Sequence, residues 1–330
     1  MNTIIGSPIT LGGGGLELVA NVADGATVTA TLGSKTVTGV SVGGQARLKI
    51  PNEGEWEVSA TKGISVSVPQ KINVPATVNI AFVAQELNDA SWEVIKQVAD
   101  ASMGANYWAI GDCKKVTMNG KVSSGLTLTN YPAWVYIIGF NHNAEREGNG
   151  IAFQGFKVSK NGTDVCLVDS GYNSVHSSGT WFNINNVNNN TGGWEACLMR
   201  KNIMPKIKAS FPADLKAVIK PSTIFTTQGS GSGACTATED DIFLLAEYEV
   251  FGARTNASSQ EPNYLKQYSY YSAGNSKVKR MHNSADTTAI WWLRSPSSNN
   301  SNSFCRVTGN GRTSTNSVAS SYGASPCFKV

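Results

Sequence analysis

The chain has 330 residues, 41% of them hydrophobic and 15% charged, with a formal net charge of +4. That is enough length for two globular domains and too little apolar continuity for a membrane bundle, since the longest apolar run, Ala133 to Phe140, falls far short of a span. Lys and Arg are scattered, with no basic block that would track a phosphate backbone, so neither nucleic acid nor membrane insertion is expected.

Met1-Asn2-Thr3-Ile4-Ile5-Gly6 lacks the basic-then-apolar pattern of a secretion signal, and synthesis in the cytoplasm without a signal peptide is the expectation. Residues 1 to 84 then alternate with period two in Thr27–Leu32, Lys35–Val40, Ala46–Ile50, Trp56–Ala60 and Val66–Val68. Turn signals at Gly43-Gly44 and Pro51-Asn52-Glu53-Gly54 separate them. This predicts an antiparallel sandwich of about seven strands. Pro75 to Phe82 closes it, and Ala84 to Asn88 reads as a linker.

From Ala90 the period becomes helical. Trp92, Ile95, Val98 and Ala99 share a face, Ser91 or Asp89 can cap it, and Gly104 can end it. Strands are predicted at Ala109–Ile110, Lys115–Met118 and Trp134–Phe140, with a polar stretch from Asn141 to Gly150. An Asn/Ser/Gly-rich region, 172 to 193, reads as a long loop. Trp194–Lys201 and Pro212–Lys220 read as helices, Gln228–Gly233 as a flexible loop, and Asp241–Ala246 as a buried strand.

The last forty residues open on Trp291-Trp292-Leu293-Arg294-Ser295-Pro296 and close on Pro326-Cys327-Phe328-Lys329-Val330. Between them, Ser297 to Ser325 holds nine Ser, five Asn, three Thr and three Gly in 29 positions. A free segment of this kind would be disordered, having too little apolar surface to offset chain entropy. Pinned at both ends and punctuated by Phe304–Val307, Gly309-Asn310-Gly311 and Val318-Ala319, it predicts strand, polar loop, strand, tight turn, polar loop, terminal strand.

Chemistry-bearing groups are sparse. His142, His176 and His282 stand in no catalytic spacing, and Glu247 and Glu249 share one face of the predicted strand as a structural pair or, less simply, a glycosidase pair. The six cysteines, Cys113, Cys166, Cys197, Cys235, Cys305 and Cys327, lack the close pairs of a zinc site, so no metal or other cofactor is expected. Cys305 and Cys327 fall on strands that could be neighbours, where a disulfide would close the polar loop; buried thiols are the other reading. Tyr264, Tyr268, Tyr270 and Tyr271, followed by Lys277–Arg280, are either packed tyrosines or a platform for a sugar or single strand. Asn161-Gly162-Thr163 and Asn256-Ala257-Ser258 match glycosylation acceptors, inert without a secretory route.

Several motifs carry a resemblance. The Trp291–Pro296 opening, Phe304–Val307 with its Gly turn and Tyr322–Phe328, together with Ser91–Ile95, Tyr107–Asp112, Ile137–Asn143 and Asp241–Glu247, resemble a domain family common in phages and surface proteins of gut bacteria. That family resembles the C-type-lectin fold in its formylglycine-generating-enzyme-like branch. The N-terminal Gly44–Pro51 and Gly54–Val58 resemble the carboxypeptidase-regulatory-like branch of immunoglobulin-like folds. The resemblance therefore implies an α+β chain: an all-β immunoglobulin-like sandwich over 1-84, then a C-type-lectin-like ligand-binding domain over 85-330. Glu261-Pro262-Asn263 resembles a calcium motif of sugar-binding lectins, but the Trp-Asn-Asp sequence that completes the shell does not follow.

Asn-rich composition at this place also resembles the variable targets of diversity-generating retroelements. Ser297, Asn299, Asn300, Asn302, Arg306, Thr308, Asn310, Arg312, Thr313, Thr315, Asn316 and Tyr322 are the expected ligand-binding residues, an adaptable polar surface with Arg and Tyr anchors. The expected function is non-enzymatic: a receptor-binding, host-adhesion component of a phage tail or virion. Its partners would be a bacterial surface protein or glycan, and other virion or tail proteins through the N-terminal domain, with homo-oligomerisation left open. The alternatives are a capsid or tail decoration protein and a formylglycine-generating-like metal-dependent enzyme.

Overall fold

A computed structural model describes residues 16–229, 233 and 235–330. The Met1–Gly6 reading, and the Ser230–Ser232 part of the predicted flexible loop, lie outside the described residues. Strands dominate the chain, which divides into two compact units, Met1–Ala84 and Gln85–Val330.

The first unit runs β1 (Leu16–Asn21), β2 (Thr27–Leu32), β3 (Lys35–Val40), β4 (Gln45–Ile50), β5 (Gly54–Lys62), β6 (Ser65–Val66), β7 (Gln70–Val74) and β8 (Ala76–Asn79). One sheet has the order β4-β1-β8, with β1 and β8 parallel; the other has the order β3-β2-β5-β6, with β7 also paired to β5. Alternation sends Leu18, Ala20, Leu48 and Ile50 of the first sheet against Val28, Ala30, Trp56 and Val58 of the second, in one apolar core. Trp56 is fully buried, and its indole N–H donates to the Asn52 carbonyl at 3.2 Å, so its polar edge is satisfied. Gly43 and Gly44 have φ of 62° and 83°, the left-handed pair that a two-residue hairpin loop between Val42 and Gln45 requires.

The second unit opens without slack. Leu87 is buried, and Asn88, in the predicted linker, accepts the Lys115 amide on Oδ1 and the Lys114 ammonium on its carbonyl, each at 2.9 Å. Helix α1 (Trp92–Asp100) is capped by Ser91, whose hydroxyl accepts the Val94 amide at 3.2 Å, and it buries Trp92, Val94, Ile95, Val98 and Ala99. The chain turns after it at Ser102, with φ 57°, rather than at Gly104. Gly104 instead begins α2 (Gly104–Tyr107) beneath Phe140, where a Cβ would come within 2.5 Å of the ring. Ala109 and Ile110 form no strand, because the Ala109 amide is taken by Asp112 Oδ2 in a local turn.

There follow β9 (Cys113–Ser123), β10 (Leu126–Phe140), α3 (Ala144–Glu147), β11 (Ile151–Lys157), β12 (Val165–Cys166), α4 (Gly193–Ala196), a turn of π-helix (Met199–Ile203), α5 (Met204–Ser210) and α6 (Ala213–Val218). Then come β13 (Ser222–Thr227), β14 (Cys235–Asp240), β15 (Ile242–Phe243), α7 (Glu247–Phe251), α8 (Ser269–Ser272), β16 (Lys279–Met281), β17 (Ser284–Ala289), β18 (Trp291–Pro296), β19 (Ser303–Val307), β20 (Thr313–Ser317) and β21 (Cys327–Lys329). The main sheet has the order β15-β21-β11-β10-β9, so the last strand lies inside it, with Phe328 stacked on Phe153 at 5.4 Å.

Three sequence expectations are corrected here. Glu247 and Glu249 lie on α7, not on a strand: β15 stops after two residues because the Ala246 amide is captured by the Glu249 carboxylate at 2.9 Å, the reach-back that starts a helix. The second polar loop is in part a strand, β20, which gains order from its ladder with β19 rather than from apolar burial. Cys305 and Cys327 sit in different sheets, and all six cysteines are free thiols.

Charged groups also build this core. Arg294 is fully buried on β18 and grips Glu249 through both terminal nitrogens, at 2.5 and 2.6 Å, while donating to the Leu244 carbonyl and the Thr226 hydroxyl. Burial pushes the Glu249 carboxyl up, but the guanidinium outweighs that and holds it below the usual range. Ser295 accepts the Glu247 amide at 2.9 Å. Thus Leu293-Arg294-Ser295-Pro296 fastens β18 to α7 and β13. Lys279 donates to Tyr136 Oη at 2.7 Å beside Asp164, and Lys329 bonds Glu147 at 3.0 Å.

Candidate functional site

The sheet β18-β19-β20 carries most of the expected contact residues, and its register divides them. Opposed residues of an antiparallel pair project from the same face. Thr313, Thr315 and Ser317 therefore share a face with Val307, Cys305 and Ser303, while Ser314 and Asn316 share the other with Arg306 and Phe304. Asn299 and Asn300 are exposed before β19, and Asn310 and Arg312 are exposed on the turn after it. Five strand residues separate those two ends by about 15 Å at the usual rise. The twelve residues accordingly do not make one patch.

Two of them are not surface groups. Ser297 is buried, its amide donating to the Ser303 carbonyl at 3.0 Å. Tyr322 is buried too, its hydroxyl accepting from Asn316 Nδ2 and its ring lying 5.1 Å from Trp292 and 6.0 Å from Tyr172. Thr313 is committed inward by donating to the buried Glu247 carboxylate, which also accepts the amides of Thr255, Asn256 and Ala257. Asn302 accepts the Ser303 hydroxyl at 3.0 Å, and Thr308 and Asn310 bond each other across the turn.

On β19, between the two exposed ends, stands Arg306. Its guanidinium carbon lies 4.9 Å from the Tyr322 ring centre, and the residue is half-buried between Trp292 on β18 and Ser314 on β20. Beside it, every residue of β20 is polar and half-exposed.

Composition alone did not reveal that the two Asn/Ser-rich regions are stitched together. The amides of Asn173, His176, Asn185 and Asn190 donate to the carbonyls of Ser321, Ala319, Val318 and Ser301, at 2.7 to 3.0 Å. Asn190 Nδ2 adds bonds to the carbonyls of Ser297, Asn300 and Ser303 at 3.0 to 3.2 Å. This brings half-buried Tyr172 beside Tyr322 and places exposed Asn186, Val187, Asn188 and Asn189 on the segment whose Asn188 accepts the Ser317 hydroxyl at 3.3 Å. The shared composition of the two regions was the one available sequence signal.

His142, Glu147 and Glu249 each bring one ligand atom within 4.8 Å of the others. Arg294 and Lys329 already neutralise the two carboxylates, and burial pushes His142, stacked on Tyr268 at 3.6 Å, down to about 4. A divalent cation added there would leave two unbalanced positive charges in the core, so the donor set does not suit one. Glu261 is fully buried and burial pushes its carboxyl up to about 8, whereas Asn263 is exposed, so Glu261-Pro262-Asn263 does not present a shared calcium face. Asn256 of the second acceptor pattern spends its side chain on Glu247 and Thr313. Tyr268, Tyr270, Tyr271 and Lys279 are buried, which removes the proposed platform. Burial pushes the thiols of Cys113 and Cys235 up to about 11, and those of Cys166 and Cys197 up to about 12, away from nucleophilic use.

A cleft of about 650 Å³ lies elsewhere, lined by Arg200, Lys201, Met204, Lys208, Asp240 and Asp241 among others. Four of its charges form two ion pairs, Arg200 with Asp240 at 2.6 Å and Lys208 with Asp241 at 2.7 Å.

Residues 164–330 match the family described as a domain of unknown function, DUF6273. The chain belongs to this family. The DUF6273 segment begins at Asp164, the partner of buried Lys279, and includes both stitched polar regions, Arg294 and the closing strand β21. No curated protein and no solved structure matches the chain.

Proposed function

We propose that the chain is a non-enzymatic binding protein whose DUF6273 segment presents the outer face of β19 and β20 to a bacterial surface glycan or protein. In this reading it is a receptor-binding, host-adhesion component of a phage tail or virion, with a C-type-lectin-like arrangement in the second unit and an immunoglobulin-like module in the first. Diversification of the surface by a retroelement belongs to the same proposal.

The observation that carries it is β20. Five consecutive Ser, Thr and Asn residues stay half-exposed there, yet the strand is held in register by β19 and by a bond to buried Glu247. A surface that is both polar and fixed can recognise a ligand without an ordering penalty at each contact. Replacing Arg306 and Arg312 together by Ala is expected to abolish adsorption to host cells while leaving the denaturation midpoint within the range of an ordinary surface change, about 0.5 kcal/mol. Tyr322 is left intact in that test because it is a packing residue. Unchanged adsorption would sink the proposal.

A second reading, attachment to a larger assembly through the first unit, is favoured by exposed apolar side chains on that sandwich: Val40, Val42, Val66 and, most exposed at 87%, Ile64. Val42→Asp with Ile64→Asp in the full chain should then abolish incorporation into virions and spare ligand binding.

A further inference from the structure

Arg306 differs from the other arginines held within the protein. Arg294 grips Glu249 and Arg200 bonds Asp240, each within 2.6 Å. Among the described residues no carboxylate, carbonyl or hydroxyl bonds the Arg306 guanidinium; its one close partner is the Tyr322 ring, and its Nε is buried without a hydrogen bond. A half-buried cation with no counter-charge is unfavourable by itself, and the fork of its two terminal nitrogens matches the two oxygens of a carboxylate. The Tyr322 ring lies 4.9 Å from the carbon of that fork, within cation–π reach.

We infer that Arg306 is the anchor for a carboxylate carried by an acidic sugar. The inference rests on the binding role proposed above and specifies its ligand class. The sugar is favoured over an acidic protein side chain by the groups around the arginine. Ser314 and Asn316 on the same face supply a hydroxyl and an amide, and half-buried Tyr172, 6.0 Å beyond Tyr322, has a phenol that accepts the Ile290 amide and keeps its own O–H to donate, the mix of donors and acceptors that a sugar ring's hydroxyls use. Asn316 is held for this by its bond to the Tyr322 hydroxyl and by accepting the Ser317 amide at 2.7 Å.

The test is calorimetric titration of the full chain with a galacturonate trimer, its methyl ester and a glutamate tripeptide, repeated on Arg306→Gln, Arg306→Lys and Ser314→Ala. The acidic trimer should bind, weaken with salt, and lose at least about tenfold in affinity when esterified or when Arg306→Gln is introduced. Arg306→Lys should fall between, because a point charge keeps attraction and loses the fork, and Ser314→Ala should lose only a few-fold. Thermal denaturation of Arg306→Gln should match the parent, which separates lost binding from lost fold.

Equal binding of acid and ester, or full binding by Arg306→Gln, would overturn the carboxylate inference and leave the binding role standing on that same titration. Binding of the glutamate peptide alone would overturn the sugar. If none of the probes binds but the Arg306/Arg312 double substitution still abolishes adsorption, the inference falls and the role survives; if adsorption is also unaffected, both fall.

Discussion

In the first unit no charged side chain among the described residues is buried, and the core runs from Leu18 to Ile80 through aliphatic groups around Trp56. In the second, Arg294, Lys279 and Lys329 are buried with Glu249, Asp164 and Glu147. The difference bears on specification. An apolar core accepts any arrangement that keeps volume and pattern, whereas a buried ion must find one particular partner, at one place, or remain uncompensated. The second unit has long connections, and its ionic staples join segments far apart in sequence, Arg294 with Glu249, Lys279 with Asp164 and Lys329 with Glu147.

The largest effect should come from removing one half of a staple. Arg294→Leu leaves Glu249 buried without its cation and is expected to destabilise the chain by about 3–5 kcal/mol in urea unfolding. The double variant with Glu249→Leu should recover much of that, since no lone charge remains. If the single and double variants lose equally, the arginine acts by volume and by its bonds to Leu244 and Thr226, not as a charge partner. In the first unit the matching experiment, Leu48→Ala, should cost about 2–5 kcal/mol through cavity formation, and no second substitution of opposite charge logic could rescue it.

This contrast also decides how much of the molecule could be read from its residues. Strands β2, β4 and β5 were legible because alternating burial is written directly as alternating residue type. The Ser91 cap and the apolar stripe of α1 were legible for the same reason: both are local. The helix at Glu247 was not, since its start depends on a carboxylate reaching back to an amide after a run of apolar residues that reads as strand. Strand β20 was hidden because nothing in Thr313–Ser317 is apolar. The site followed this division: Arg306 and Asn316 were named from composition, but the register that separates them from Thr313 and Thr315 needs a ladder that no apolar pattern announces, and the stitching that brings Tyr172 to Tyr322 depends on partners more than a hundred residues away.

The next effects depend on pH and should belong to the second unit. Burial pushes His142 and His282 down to about 4 from 6.5. Between those values the unfolded chain binds more protons than the folded one, so stability is full above about 6.5 and is lost as pH falls toward 4. The two together should contribute a few kcal/mol of acid destabilisation. His142→Phe, which keeps a ring against Tyr268, should flatten that limb. Glu261 works in the opposite sense. Burial pushes it up to about 8, so the folded state keeps a proton the unfolded state has released above 4.5, and stability drains as pH rises from 4.5 to 8. Glu261→Gln should therefore stabilise by about 2 kcal/mol at pH 8 and by little at pH 4.5. A pH-independent gain would place the effect in packing.

The smallest expected effect lies where the two polar regions meet. Asn190 carries no charge, but its amide nitrogen donates to the carbonyls of Ser297, Asn300 and Ser303 while its backbone holds Ser301. Asn190→Ala removes the shared donor, for about 1–2 kcal/mol, because the Ser303 carbonyl keeps the Ser297 amide and the Asn300 carbonyl keeps the Ser303 amide. Amide exchange should show the change more clearly than the global midpoint. Protection at Ser303 and Val318 should fall, while that at β10 and β11 in the main sheet stays as it was. If exchange along β19 and β20 does not respond, the sheet keeps its shape without the stitching, and the 172–193 region is a neighbour of the recognition surface and not its support.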